Sequence, residues 1–433
     1  MERQIMQNLI KWKEKKNRKP LIIHGARQVG KTWVMKEFGK RYFKTCVYIG
    51  FDNNPRMKEV FELDYDVNRI ISAIRIEHGS AFQAEDTLLI FDEIQEVPKA
   101  MTALKYFCED APEYYIVAAG SLVGMALHEG TSFPVGKVDY LHLFPLNYYE
   151  FLLAFGENEL AAQLESKNSS IINSFGSRYI EYLKKYYYIG GMPEAVQCYI
   201  DTDDVSEVRN IQKNLLLYYE NDFSKHAPKE QLARIQMVWN SIPAQLAKEN
   251  RKFIYGIIRE GARAKDYEIA IQWLSDYGLI KKSTRIKKPG LPLISYMEQS
   301  NFKMYMLDVG LLAAKGNLSA RTIIEGNRIF EEFKGALTEQ FVAQELSAAD
   351  MELYYYSSEH SSGEIDFVLQ RGGYCIPVEV KATENLRAQS LKAYCRKYEP
   401  EIAIRTSMSN YREEEWLTNV PLYMLAGYLR GIE

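Results

Sequence analysis

Gly25-Ala26-Arg27-Gln28-Val29-Gly30-Lys31-Thr32 follows the apolar run Leu21-Ile22-Ile23 after a single residue, His24, and opens a helical stretch from Gly30 to Phe38. The octapeptide has the form G-x-x-x-x-G-K-[ST], and buried strand, glycine-bearing loop and helix is the context that makes such a loop a phosphate cradle. Glycines let the backbone turn its N–H groups onto phosphate oxygens, Lys31 reaches the β/γ-phosphates, and the Thr32 hydroxyl ligates Mg²⁺. The positive end of the following helix adds to the anion site. The residues expected around a nucleotide are therefore Gly25, Ala26, Arg27, Gln28, Val29, Gly30, Lys31, Thr32 and Trp33.

A second run supplies carboxylates. Thr87-Leu88-Leu89-Ile90-Phe91 is continuously apolar and ends in Asp92-Glu93, the pattern of a buried parallel strand delivering two acids at its C-terminal edge. Asp92 is expected to hold Mg²⁺ through water, and Glu93 to polarise the attacking water. Tyr115–Ser121 reads as another buried strand, placing Ser121 either as a sensor of the γ-phosphate or as a plain helix cap. No N-K-x-D guanine-reading motif is present, so ATP is favoured over GTP.

The chain has 433 residues, 47% hydrophobic and 26% charged, enough for several domains with substantial cores. A net charge of −3 gives no whole-chain attraction to nucleic acid. Five scattered cysteines and six histidines without ligand spacing suggest reduced thiols in a cytoplasmic protein, with neither a disulfide framework nor a zinc site. The lysine-rich start, Met1–Lys19, lacks a long apolar core and is expected to be an amphipathic helix, not a signal peptide or membrane anchor.

The fold class expected is α/β. Strand-like runs at 21–23, 46–51, 88–91, 115–119 and 140–144 alternate with helices, which predicts a P-loop parallel sheet with helices on both faces over residues 1–155. A helical lid is expected over 156–240, interrupted at Gly190-Gly191-Met192-Pro193; its tyrosines suit packing better than stacking on bases. Residues 241–320 read as a winged helix. Between 245 and 288, eleven basic residues face five acidic ones, a local net of +6. Tyr267, Ala270, Ile271 and Leu274 form one helix face there, Gly278 terminates the helix, and Lys281, Lys282, Arg285, Lys287 and Lys288 mark a basic hairpin. DNA contact through phosphates and plain protein packing both remain open for this unit.

Residues 321–433 carry a separate constellation in the order helix (329–346), strands (353–357, 364–369, 375–381), helix (387–397), strand (401–405). Asp366 and Glu379 fall on adjacent strands, where hairpin pairing would bring both carboxylates to one edge as hard ligands for a second divalent ion, Mg²⁺ or Mn²⁺. Alternation puts Glu379 and Lys381 on one face, so Lys381 would assist a water beside the metal. Glu339 projects from an apolar stripe of Ala336, Val342, Ala343 and Leu346, where a carboxylate is costly unless paired or metal-bound.

This order and these residues resemble the PD-(D/E)xK nuclease superfamily, with its restriction-endonuclease-like α/β core. By that resemblance Asp366, Glu379 and Lys381 match the catalytic triad, and Glu339 the helical acid of resolvase-like members. Over its length the chain resembles the prokaryotic AAA-type ATPases that join an N-terminal P-loop domain to a C-terminal DUF4143 region. The likeness rests on Gly25–Thr32, Asp92-Glu93, Gly120-Ser121, Leu143–Leu146, Gly190–Pro193, Phe302–Leu312 and Gly363–Lys381. It implies ATP hydrolysis. Relatives often carry Gly-Arg where this chain has Gly136-Lys137; Lys137 keeps the charge but not the planar bidentate donor, which leaves an arginine-finger role at this position open. Two functional classes stay open: an ATP-driven protein acting on nucleic acid, DNA above all, and a nucleotide-switched regulator or protein-remodelling ATPase whose C-terminal domain docks a protein partner. Oligomerisation is left open, and no membrane association is expected.

Overall fold

The apolar run ahead of the glycine-bearing loop is strand β1 (Leu21–His24), hydrogen-bonded on both sides to parallel neighbours. In the computed structural model, which describes residues 1–120, 134–248, 251–325, 331–358, 363–382 and 388–432, the chain forms two units. One comprises Glu2–Phe144 with Asp276–Gly278, and the other Met1, Pro145–Ser275 and Leu279–Glu433.

In the first unit β1 joins β2 (Thr45–Gly50), β3 (Thr87–Asp92), β4 (Tyr115–Gly120) and β5 (Asp139–His142) in the order β2-β3-β4-β1-β5. All four pairings are parallel. Thr87–Asp92 is buried throughout, as a central parallel strand covered on both faces must be. The aromatic core Phe51, Phe61, Phe91 and Phe107 meets edge to face, each ring contributing roughly 1.5–3 kcal/mol by burial. The helix Ile5–Glu14 buries Ile5, Met6, Leu9 and Trp12 and so carries the N-terminal lysines on its other faces. Because β4 lies between β1 and β3, its end stands between the phosphate loop and the Asp92-Glu93 pair, at the strand ends where open parallel sheets bind ligands.

The second unit begins with helices, among them Gly176–Ile189 and Val205–His226. It continues into one mixed sheet of eight strands: β6 (Ile280–Ile286), β7 (Met297–Met306), β8 (Tyr354–Ser357), β9 (Glu364–Arg371), β10 (Tyr374–Val380), β11 (Ile404–Ser407), β12 (Arg412–Glu413) and β13 (Thr418–Pro421), in the order β12-β13-β11-β10-β9-β8-β6-β7. The expected basic hairpin is β6–β7, antiparallel. It is not a free wing: Thr284–Ile286 pair in parallel with Tyr354–Tyr356, making the hairpin the end of the C-terminal sheet. Strands β12 and β13, too short and polar to read from pattern, close the opposite end.

The helix Glu331–Ala348 packs where Gln340 bonds both the N–H and the carbonyl of Met306 at 2.8 and 2.7 Å. Beside it, the Phe253 N–H donates to the Phe302 carbonyl at 2.9 Å, and Lys252 bridges Lys303, so chain from outside the sheet lies along β7. The helix Gln389–Tyr398 covers Tyr354, Tyr356, Ile365 and Val368 through Leu391 and Tyr394. Three of the sequence signatures interlock. Asp308 accepts from the N–H of Gly191 (2.6 Å) and of Leu311 (2.9 Å), and the Leu146 N–H donates to the Gly191 carbonyl at 2.7 Å. A side chain at Gly191 would overlap the Leu146 carbonyl oxygen, which is why glycine stands there.

Candidate functional site

The phosphate loop has the geometry its sequence calls for. Gly30 has φ +97° at the start of the helix Lys31–Tyr42, a left-handed conformation that glycine adopts without penalty. A Cβ at Gly25 would overlap the Leu143 carbonyl oxygen. Arg3, which the sequence reading passed over, supports the loop by donating to the carbonyls of Val29 (3.0 Å) and Phe144 (2.6 Å). Trp33 stands half exposed on the first turn of the helix.

Lys31 is buried, its Nζ donating to the carbonyls of Gly25 (2.9 Å) and Ala26 (2.8 Å). Burial pushes its ammonium down to about 8, against the pull of Glu93 and Asp92 and with the push of Arg27. The Thr32 hydroxyl donates to Asp92 Oδ2 at 2.6 Å, the Tyr48 hydroxyl reaches the same oxygen at 3.1 Å, and the Glu93 N–H donates to Asp92 Oδ1 at 3.1 Å. Burial and the neighbouring Asp92 hold the Tyr48 phenol well above its ordinary range. A hydroxyl and a carboxylate in direct contact beside the lysine are the oxygen donors that Mg²⁺ takes, so Thr32 and Asp92 fit the ion implied by the loop. Tyr48 had no sequence signal; it is brought in by the pairing of β2 with β3. Glu93 leaves β3 with φ +50° and ψ 45°, and its carboxylate accepts from Gln95 Nε2. Ser121 lies outside the described residues.

In the second unit the residues expected to form a divalent-ion site, Glu339, Asp366 and Glu379 as ligands with Lys381 beside them, fall into two groups. Glu339, buried at 1% side-chain exposure, accepts from Lys303 Nζ (3.0 Å) with one oxygen, which also receives the Tyr305 hydroxyl, and from Arg251 with the other. Lys303 is wholly buried and also meets Glu364 at 2.6 Å and Asp366 at 3.8 Å. Burial opposes its charge, but Glu339, Glu364 and Asp366 together hold the ammonium above its usual range. Burial would likewise lift Glu339, yet Arg251 and Lys303 carry it down to about 2. Burial and Glu339 lift Asp366 to about 7, with Lys303 and Arg251 opposing, while its Oδ2 accepts from the Val380 N–H at 2.8 Å.

Glu379 pairs with Lys381 at 2.8 Å; burial pushes its carboxyl up, with Lys381 pulling it back. Asp366 and Glu379 do stand on adjacent antiparallel strands. Among the described residues, however, no group of three or more His, Cys, Asp or Glu is disposed to hold a metal, and the positive charge beside Glu339 and Asp366 is supplied by Lys303 and Arg251. The second ion does not fit this arrangement. Lys303 had a signal in the sequence: a lysine within Phe302-Lys303-Met304-Tyr305-Met306, an otherwise apolar strand, needs a buried carboxylate partner.

Several cations of the basic segment are also engaged internally. Arg251 holds Glu339, Arg285 holds Glu298 at 2.6 Å, and Lys287 approaches Glu298 at 3.8 Å. Lys137 pairs with Glu109 at 2.8 Å. Among the described residues no helix is long and apolar enough to cross a membrane.

Family models match three stretches: an AAA domain at residues 17–152, a domain of unknown function (DUF8612) at 180–322, and a second one (DUF4143) at 334–425. No curated protein matches. Among solved structures, the Walker-type ATPase PABY2304 of Pyrococcus abyssi is similar at 12% identity and a TM-score of 0.44, covering 73% of this chain and 95% of that one. The Aeropyrum pernix ORC1 protein, in complex with DNA, aligns at 11% identity and TM-score 0.27, covering 72% and 90%. Cdc6p from Pyrobaculum aerophilum aligns at 10% and 0.28, covering 74% and 93%. These scores are too low for the superpositions to carry a functional inference.

Proposed function

We propose that this chain, which belongs to the AAA-type P-loop proteins with a C-terminal DUF4143 region, binds Mg-ATP, hydrolyses it, and uses the nucleotide cycle to act on a macromolecular partner. The observation that carries the reading is the convergence of Lys31, Thr32 and Asp92 at the ends of β1 and β3, with Glu93 next in the chain. Lys31 would exchange its two loop carbonyls for phosphate oxygens, and Thr32 and Asp92 would hold the ion. Bound Mg²⁺ would offset charge on the phosphates. Glu93 would orient and deprotonate the attacking water. Lys31→Ala should abolish binding of a fluorescent ATP analogue. Glu93→Gln should retain binding and lose turnover, because it keeps shape without the charge; normal turnover in that variant would remove Glu93 from the reaction.

For the C-terminal region the geometry favours the regulator or remodelling reading, with the nuclease-like sheet as a docking module. Glu339 is already neutralised by Lys303 and Arg251. Nucleic acid stays as a second reading because Arg259, Arg263, Lys265, Lys287 and Lys288 are exposed, a surface able to meet phosphates.

A further inference from the structure

We infer that Gln95 is a positioning residue for Glu93, setting the direction of the carboxylate that activates water; the inference rests on the ATP-hydrolysis reading above. Glu93 sits in the left-handed region at φ +50° and ψ 45°, uncommon for a residue with a side chain. The chain therefore turns away from β3 at this point, and the Glu96 N–H closes the turn on the Glu93 carbonyl at 2.9 Å. A carboxylate on such a turn has several rotamers open to it. Among the described residues one side chain hydrogen-bonds it: Gln95, 5% exposed, whose Nε2 donates to Glu93 Oε2.

The other end of that amide packs against the neighbouring strand. Gln95 Oε1 is buried without a hydrogen-bond partner among the described residues, an unfavourable state for a carbonyl oxygen. It lies against Gly120, the last residue of β4, so closely that a Cβ there would overlap it. Gly120 does not have a positive φ, so the glycine serves the amide and not the backbone. The end of the strand between the phosphate loop and the catalytic pair is thus shaped around Gln95. The amide lies between that strand end and the Glu93 carboxylate, and among the described residues the side-chain hydrogen bonds of Lys31, Thr32 and Asp92 go to other partners. A shift at the end of β4 would accordingly be delivered to the base.

The test uses the full chain with Mg-ATP, measuring turnover across ATP concentrations, affinity for a fluorescent ATP analogue, and melting temperature. Gln95→Ala should lower kcat about 10- to 100-fold, the scale of a small misplacement of a catalytic group, with KM and analogue affinity within about twofold of wild type. Gln95→Asn, which keeps the amide one methylene short, should fall between. Gly120→Ala leaves both side chains chemically intact but displaces the amide, and should reduce kcat in the same way. Unchanged kcat in both Gln95→Ala and Gly120→Ala, beside an inactive Glu93→Gln, overturns the inference and leaves the ATPase reading standing. So does a Gln95→Ala variant whose analogue affinity and melting temperature fall in step with kcat, since that marks a structural role. Wild type that binds the analogue but never turns over ATP overturns the ATPase reading, and this inference with it.

Discussion

Replacing Lys303 with methionine removes a fully buried ammonium from between three carboxylates at 3.0, 2.6 and 3.8 Å. At an effective dielectric constant near 20, one such contact is worth roughly 5 kcal/mol in gross Coulomb energy, much of it offset by the cost of desolvating the ions. Breaking a buried pair from one side costs about 3–5 kcal/mol, because a charge is stranded. The lower end applies here: Arg251 still meets Glu339, and Glu364 keeps 25% of its side chain in solvent. Lys303→Met should therefore lower stability by about 3 kcal/mol. Urea titration followed by tryptophan fluorescence would measure it, with Trp239, Trp273 and Trp416 reporting on this unit. Adding Glu339→Gln should restore part of the loss, with a coupling above about 1 kcal/mol. A loss below about 1 kcal/mol, or strict additivity of the two changes, would refute the buried-network account. Mn²⁺ is expected to leave the wild-type midpoint unmoved. Stabilisation by Mn²⁺ that disappears in Asp366→Ala would mean instead that a divalent ion displaces Lys303.

Two further outcomes are expected. Lys31 holds its ammonium at about 8 in the free site, facing Glu93, Asp92 and Arg27; arriving phosphates favour the charged form, so binding takes up a proton above that pH. Affinity for the ATP analogue should be level below about pH 8 and fall up to about tenfold per unit above it; an affinity constant from pH 7 to 9.5 would contradict this. If the second reading holds, nucleic-acid affinity falls with salt, and replacing the exposed Arg259, Arg263, Lys265, Lys287 and Lys288 with alanine flattens that slope by about one unit for each phosphate no longer neutralised. Equal slopes would place any such contact elsewhere.

The nucleotide site was legible because each half is contiguous: loop and helix in Gly25–Thr32, strand and acids in Thr87–Glu93. Tyr48 and Gln95 were not, since one depends on which strand neighbours β3 and the other on a left-handed turn that no spacing announces. In the C-terminal region the adjacency of Asp366 and Glu379 followed from two alternating strands and a short turn. The neutralisation of Glu339 did not, because Lys303 and Arg251 lie 36 and 88 residues away. Arg251 in particular counted toward a basic surface when read by composition, whereas its guanidinium is spent on a buried acid. Charge totals along a segment cannot distinguish a cation facing solvent from one facing the core.

The eight-stranded sheet is open, and an open sheet can template its own growth, since the outermost strand offers unpaired amides and carbonyls to any extended chain. Strand β7 is such a terminus. The amide of Gln340 occupies both backbone groups of Met306, and the stretch around Lys252 and Phe253 runs along Phe302 and Lys303. A second molecule would have to strip away these partners before adding a strand at that end. The same few bonds that fasten a helix and a connecting segment to β7 therefore act as a stopper against polymerisation at that end of the sheet.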